Sequence, residues 1–404
     1  CPQIKNKNEY HSIFFQAMTK TEYKRQAILD SATRVISEKG FADATVSDIA
    51  SGAGMAGSGM YTYFKSKEDL LFAIIDNFLS ACRDGLQEHL AGIQGAENKL
   101  RKAVWFHCKV YSGNKKEIKI ILESRSYPRF YSSAAYQTLK EYAGLITEII
   151  REGMTEGVFS GLSSPSILRD MILGTVDHIA INWTIKDSPN SLDHAEMIAD
   201  LVLNAVTNSR KAPVHQSNKK DAKKKRVINS AIALFAENGF NDTSMLEIAR
   251  RAGVAEGTVY EYYKNKQNLL ISIPNEKLGE LYDHISGNTL ENEIREIISK
   301  LFRFYNDEKN YTTILVLMLR TNKAFYRSEG IQIIEKIFKV IKDVIARGQA
   351  ENIFKPDLDM DLCQDLLFGT IDHITIPWIM FNRDDDLLKV GDEVSRLFIN
   401  AIRA

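Results

Sequence analysis

The chain has 404 residues, of which 44% are hydrophobic and 26% charged, the balance of a globular protein large enough for about two to four domains. Its 52 basic and 52 acidic residues cancel, so any attraction to a polyanion must be local rather than global. No apolar run approaches the length of a membrane span, the start CPQIKNKNEYHSIFF lacks the order of a secretory leader, and Cys1, Cys82, Cys108 and Cys363 lie too far apart for a C-x-x-C metal site or a disulfide framework. A reducing, cytoplasmic setting is the expectation.

Residues 1–19 read as an arm. Ile28, Ala32, Val35 and Ile36 then recur at helical spacing and give a first helix one apolar face. Thr45 stands three residues ahead of Asp48, just before an apolar run. That spacing lets the hydroxyl accept a backbone N–H while the acid faces the positive helix end. A short helix is expected from there to Gly54, where a turn with positive φ costs a glycine little. A second short helix is expected near 56–63, and Ser66 caps a longer one through LLFAIIDNFLSACRDGL. Further helices are expected near 97–112, 115–126, 132–156, 165–186 and 191–209, with no strand-like alternation. The polar stretch RKAPVHQSNK, residues 210–219, reads as a linker.

Beyond the linker the chain repeats itself. EKGFADATVSDIASGAGMAGSGMYTYFKSKEDLL at 38–71 recurs as ENGFNDTSMLEIARRAGVAEGTVYEYYKNKQNLL at 237–270. Gly40 and Phe41 match Gly239 and Phe240, Gly54 matches Gly253, Tyr61 matches Tyr260 and Lys67 matches Lys266. Val227, Ala231, Leu234 and Phe235 repeat the first apolar stripe, and Ser244 with Glu247 repeats the capping pair. Further on, GTVDHIAINW (174–183) returns as GTIDHITIPW (369–378), ahead of final helices near 361–381 and 385–402. One period of about half the chain marks a duplicated unit, not a solenoid. The copies differ in places: Pro274 interrupts the long helix of the second, where a kink or break is expected. Lys219, Lys220, Lys223, Lys224, Lys225 and Arg226 precede the second copy, while the first has only Lys20, Lys24 and Arg25. The fold class is all-α: two tandem units, each a three-helix head (20–66 and 220–265) on a helical domain (67–209 and 266–404).

Two short helices about a glycine turn are the sequence form of a helix-turn-helix. Ala252, Gly253, Val254, Gly257, Thr258, Tyr260, Tyr262, Tyr263, Lys266 and Leu269 resemble the motif of the TetR family of bacterial transcription regulators. The first copy keeps Ala53, Gly54, Tyr61, Tyr63, Phe64, Lys67 and Leu70 but has Met55 and Ser58–Gly59 where the motif has Val and Gly-Thr. The resemblance implies that double-stranded DNA is the partner. Thr45, Ala56, Gly57, Ser58, Gly59, Tyr61, Tyr63 and Lys67 would face it in the first head. In the second head Thr243, Ser244, Ala255, Glu256, Gly257, Thr258, Tyr260, Tyr262 and Lys266 would do so. It implies further that the helical domains bind a small-molecule effector and carry the dimer interface. The two copies would then pair as an intramolecular pseudo-dimer, with a further homodimer as the other arrangement. The duplicated GT-[VI]-DHI-x-x-x-W resembles the subgroup that answers to fatty acyl-CoA. Trp105, Tyr111, Arg125, Phe130, Phe304, Tyr311, Arg320 and Phe325 are the candidate effector contacts, since an acyl chain needs apolar walls and its CoA needs cations.

Asp177–His178 and Asp372–His373 invite a catalytic reading, but neighbours on a helix diverge by about 100° and do not converge on one substrate atom. No nucleophile elbow, phosphate loop, metal set or cofactor motif accompanies them. A polar cluster inside the helix bundle is expected instead, and no enzyme. The alternative to a ligand-responsive repressor is a sensor or assembly protein whose heads have lost DNA binding, for which the glycines of the first head speak.

Overall fold

The computed structural model describes residues 19–207, 223–278, 287–381, 383 and 386–404. The expected linker at 210–219, nearly all of the 1–19 arm, and Lys219 and Lys220 of the basic run lie outside the described residues. Among the described residues there is no strand; one isolated bridge joins Phe354 to Arg403. None of these helices is long and apolar enough to cross a membrane.

The first copy runs α1 (Lys20–Lys39), α2 (Val46–Gly52), α3 (Gly57–Met60), α4 (Lys67–Leu90), α5 (Ala96–Gly113), α6 (Lys115–Ser124), α7 (Ala134–Thr155), α8 (Pro165–Thr184) and α9 (Ala195–Thr207). The second runs α10 (Lys223–Asn238), α11 (Met245–Ala252), α12 (Glu256–Tyr262), α13 (Lys266–Leu278), α14 (Leu290–Asp307), α15 (Lys309–Thr313), α16 (Lys323–Tyr326), α17 (Gln332–Ala350), α18 (Met360–Met380) and α19 (Leu387–Ile402). The expected helices are present, with two adjustments. The one expected at 56–63 is a single turn, Gly57–Met60, because two glycines weaken it. Pro274 lies within α13, which continues helical to Leu278.

Two compact units emerge, residues 1–85 with 114–142 and residues 86–113 with 143–404. In the first, Ile28, Ala32, Ile36, Ile49, Ala50 and Met60 form the buried core of the head. Ser31 ties α1 to α2 through the carbonyl of Ile49 at 2.8 Å, and Lys119 of α6 reaches the carbonyl of Ser37 at 2.6 Å. Thr45 caps α2 and Asp48 returns the bond, the reciprocal box that the spacing implied. A capping box at Thr19 and Glu22, which the sequence reading missed, starts α1.

The second unit contains the other head, with Ile228, Ala231, Phe235, Ile248, Ala249 and Val259 buried, and Ser244 and Glu247 forming its capping box. Gly253 adopts φ 65° at the end of α11, as Gly54 does at 67° after α2; a β-carbon is disfavoured in that left-handed region. The centre of this unit is a bundle in which α8 packs on α18 and α9 on α19. Gly174 and Gly369 mark the α8–α18 crossing. A β-carbon on either would collide with the other's carbonyl, so the two backbones touch where only glycine permits it.

The copies part company before Arg320. Lys115 and Arg125 in the first correspond to Lys309 and Arg320 in the second, where the interval is one residue longer. The extra residue is absorbed as a π-helical stretch, Ile314–Leu319, with the Arg320 N–H donating to the Leu315 carbonyl at 3.1 Å. After it the copies are back in step: Tyr131 donates to the Arg125 carbonyl and Tyr326 to the Arg320 carbonyl, each at 2.9 Å.

Candidate functional site

The reading element of each head is its second short helix. Ala56, Ser58 and Tyr61 are exposed in the first head, with Gly57, Gly59 and Tyr63 half-buried. In the second, Ala255, Glu256, Gly257, Tyr260 and Tyr262 are exposed and Thr258 is half-buried. Tyr61, Tyr260 and Tyr262 stand about half in solvent while the aromatics behind them, Phe64 and Tyr263, are buried. These amphipathic rings are free to meet a partner on that face.

Lys67, Lys266, Thr45, Thr243 and Ser244, also expected at the DNA face, are placed differently. Lys67 donates to the carbonyls of Phe41 (2.7 Å), Ala42 (3.3 Å) and Ala44 (2.9 Å), and its ammonium stands 4.5 Å from the Phe41 ring centre. Lys266 repeats this on Phe240 (2.6 Å), Asn241 (3.0 Å) and Thr243 (2.8 Å). An ammonium has three N–H donors, and in each head the three carbonyls take them all. Thr243 is 2% exposed and its hydroxyl donates to Leu234 and Gly239, so it faces inward rather than toward a duplex. Thr45 and Ser244 remain exposed but serve as helix caps. In this structure these two lysines and Thr243 thus brace the turn. Lys266→Met should lower stability by about 2 kcal/mol through three orphaned carbonyls, read as an earlier urea midpoint with the helical signal unchanged before the transition. Of the basic run, Lys224 and Arg226 are exposed side chains at the start of α10.

The effector candidates separate by copy. Trp105 is half-buried beneath the Lys102 ammonium at 3.7 Å, and Tyr111 is buried and donates to Asp177 at 2.9 Å. Phe130 is buried against Phe72, with ring centres 6.1 Å apart, and Arg125 is half-buried. In the second copy Phe304 meets Tyr311 edge-on at 5.1 Å, and Tyr311 and Phe325 are wholly buried. Arg320 is placed differently from Arg125. It is 3% exposed and bound to Asp372, Nε to Oδ2 at 2.9 Å and Nη2 to Oδ1 at 3.3 Å, so its charge is answered internally and not offered to a phosphate. Burial is the largest single influence and works against that charge, but Asp372 together with Tyr305 and Tyr326 holds the guanidinium's pKa above its usual value.

The two Asp-His pairs join different partners. His178 Nδ1 lies 2.7 Å from Asp365 Oδ1, which also accepts from Asn182 at 2.7 Å. His373 Nε2 bonds Asp177, whose other oxygen takes the Tyr111 hydroxyl. Both bonds cross between α8 and α18. The expected polar cluster is thus the cement between copies.

Among the described residues no group of His, Cys, Asp and Glu could hold a metal ion. Burial pushes the thiols of Cys82, Cys108 and Cys363 from 9.0 up to about 12. At about pH 8 a Cys1→Ser variant should take up a disulfide reagent only as fast as it unfolds, checked by thiol release with and without denaturant. The unfolded thiols ionise near 9.0 and the folded ones near 12, so the unfolded chain sheds protons first and stability falls as pH rises across that window.

Two family models each match the chain twice. The model for bacterial regulatory proteins of the tetR family matches residues 28–74 and again 227–273. The model for the YsiA-like protein C-terminal region matches 75–205 and again 274–401. The chain belongs to the TetR family, in tandem form. The fatty acid metabolism regulator protein of Bacillus subtilis (strain 168) is 29% identical over 182 residues, covering 44% of this chain and 94% of that protein. Among solved structures, the fatty acid degradation regulator FadR of Bacillus halodurans is 26% identical and covers 45% of this chain and 97% of its own, with a TM-score of 0.42. FadR from Bacillus subtilis, in complex with stearoyl-CoA, is 29% identical, covers 44% and 99%, and also has a TM-score of 0.42. The Bacillus subtilis fatty acid metabolism regulator protein thus aligns over about one half of this TetR-family chain.

Proposed function

We propose that this TetR-family chain is a ligand-responsive repressor that binds operator DNA through its two heads and is controlled by a fatty acyl-CoA. The observation that carries the reading is the pair of exposed tyrosine-bearing reading elements, each set on a braced turn and a buried three-helix core. Phosphate contacts would come from the exposed Lys20, Lys24 and Arg25 in the first head and Lys224, Arg226 and Arg250 in the second. The 29% identity to a fatty acid metabolism regulator favours the acyl-CoA class of effector. The domain limits remain heads at 20–66 and 220–265 with effector domains at 67–209 and 266–404.

The two halves act as an intramolecular pseudo-dimer. Supporting it are the α8–α18 glycine crossing, the two crossing His–Asp bonds, and polar contacts from α19 to the first copy. Glu393 accepts the Ser163 N–H at 2.8 Å, Arg396 bonds the Gly161 carbonyl, and Asn400 reaches the Ala205 carbonyl at 3.2 Å. The corresponding positions on α9 are Ile198, Leu201 and Ala205, so the halves are complementary rather than self-matching.

An effector shifts such a regulator only by binding its two states unequally. The test is fluorescence anisotropy of duplex DNA from the gene's upstream region, titrated with the full chain at low and moderate salt, with and without a long-chain acyl-CoA. Salt-sensitive binding that acyl-CoA weakens by about tenfold, or about 1.4 kcal/mol, is the expected result. Binding that acyl-CoA leaves unchanged sinks the effector class; no binding at low salt sinks the repressor.

A further inference from the structure

We infer that the operator is two unlike half-sites: the second head discriminates bases, and the first grips its half-site with little regard for sequence. This rests on the DNA-binding reading above and adds which head reads.

Base readout needs donors, acceptors or methyl groups projecting from the reading helix; a carboxylate can accept from cytosine, and a threonine can hydrogen-bond or touch a thymine methyl. In the second head α12 presents Glu256, Tyr260, Glu261 and Tyr262 exposed, with Thr258 half-exposed between them. In the first, α3 is one turn in which Gly57 and Gly59 have no side chain, leaving Ser58 as the exposed side chain of the helix. Tyr61 and Thr62 follow on the turn beyond it.

Packing does not require those glycines. A β-carbon on Gly57 would meet nothing within 4 Å, and one on Gly59 would meet only the tip of Met55, at 4.0 Å. Neither residue is among those with positive φ. A glycine disfavours the helix, yet here it is imposed by neither turn nor core. What it leaves is a bare surface that lets a backbone come close but carries no code. Exposed cations are present on both heads, so grip is available to both while discrimination is concentrated in one.

The experiment is selection of duplexes from a random-sequence pool by the full chain, followed by affinity measurements on single-base variants of the selected site. One base-specific half-site is expected, where a substitution lowers affinity about tenfold, beside a stretch where it changes affinity less than about twofold. The triple variant Gly57→Glu/Ser58→Gly/Gly59→Thr, whose new β-carbons meet no close neighbour, should turn the tolerant stretch into a second copy of the specific half-site. Equal base preference at both half-sites of the native chain overturns the inference, as does a triple variant that binds with the tolerant stretch unchanged. Retention of duplex with no base preference anywhere overturns it while leaving DNA binding intact. If neither protein retains any duplex at low salt, the DNA-binding reading fails and this inference with it.

Discussion

Replacing Arg320 by methionine should cost about 3–5 kcal/mol of stability, the largest loss expected from one side chain in this protein. The guanidinium and the Asp372 carboxylate are paired almost out of solvent, and Tyr326 closes the surroundings by bonding the Arg320 carbonyl. Removing the cation leaves a buried carboxylate with no counter-charge, which costs far more than the pair contributes when whole. Arg320→Met/Asp372→Leu should therefore recover most of the loss. Urea denaturation of both variants checks this: a single variant less than 1 kcal/mol below the wild type, or a double variant no better than the single, would show that water satisfies Asp372.

A branched side chain at the helix crossing should have the next largest effect. Gly174→Val places a β-carbon against the Gly369 carbonyl, and that is backbone, which cannot swing aside as a flexible side chain can. About 3 kcal/mol or more is expected, through separation of α8 from α18 with the loss of both crossing His–Asp bonds. Gly369→Val should do the same, since the geometry is reciprocal. The double variant should cost little more than either single one, because the crossing is already open; full additivity of the two melting shifts would count against this account.

These two sites show where sequence was readable and where it was not. Helical spacing, the Thr45–Asp48 and Ser244–Glu247 boxes and the turn glycines are local patterns, and local patterns survive in a single sequence. The divergence of adjacent Asp and His side chains was also readable, and it explains why Asp177 and His178 serve different partners. Those partners were not readable, because they come from the other copy, nearly two hundred residues away in the chain. The partner of Arg320 lies in its own copy, 52 residues on, but it too was hidden: a cation near aromatics looks available until the carboxylate opposite it is known. Lys67 and Lys266 carried a signal that went unused, since a lysine following the glycine-phenylalanine turn in both copies can fold back onto that turn's carbonyls. The π-helical stretch left a trace too, in the one-residue difference between Lys115–Arg125 and Lys309–Arg320.

If the halves pair as proposed, the bundle of α8, α9, α18 and α19 has its two faces on one covalent chain, which would change how the regulator responds to its own abundance. Pairing inside one molecule occurs at an effective concentration set by the connection, not by how many copies a cell holds. A regulator that must first find an identical partner loses function as roughly the square of its concentration when scarce. Under the proposed pairing, operator occupancy should fall only in proportion to the amount of chain, so control would persist at expression levels where a separable dimer has come apart.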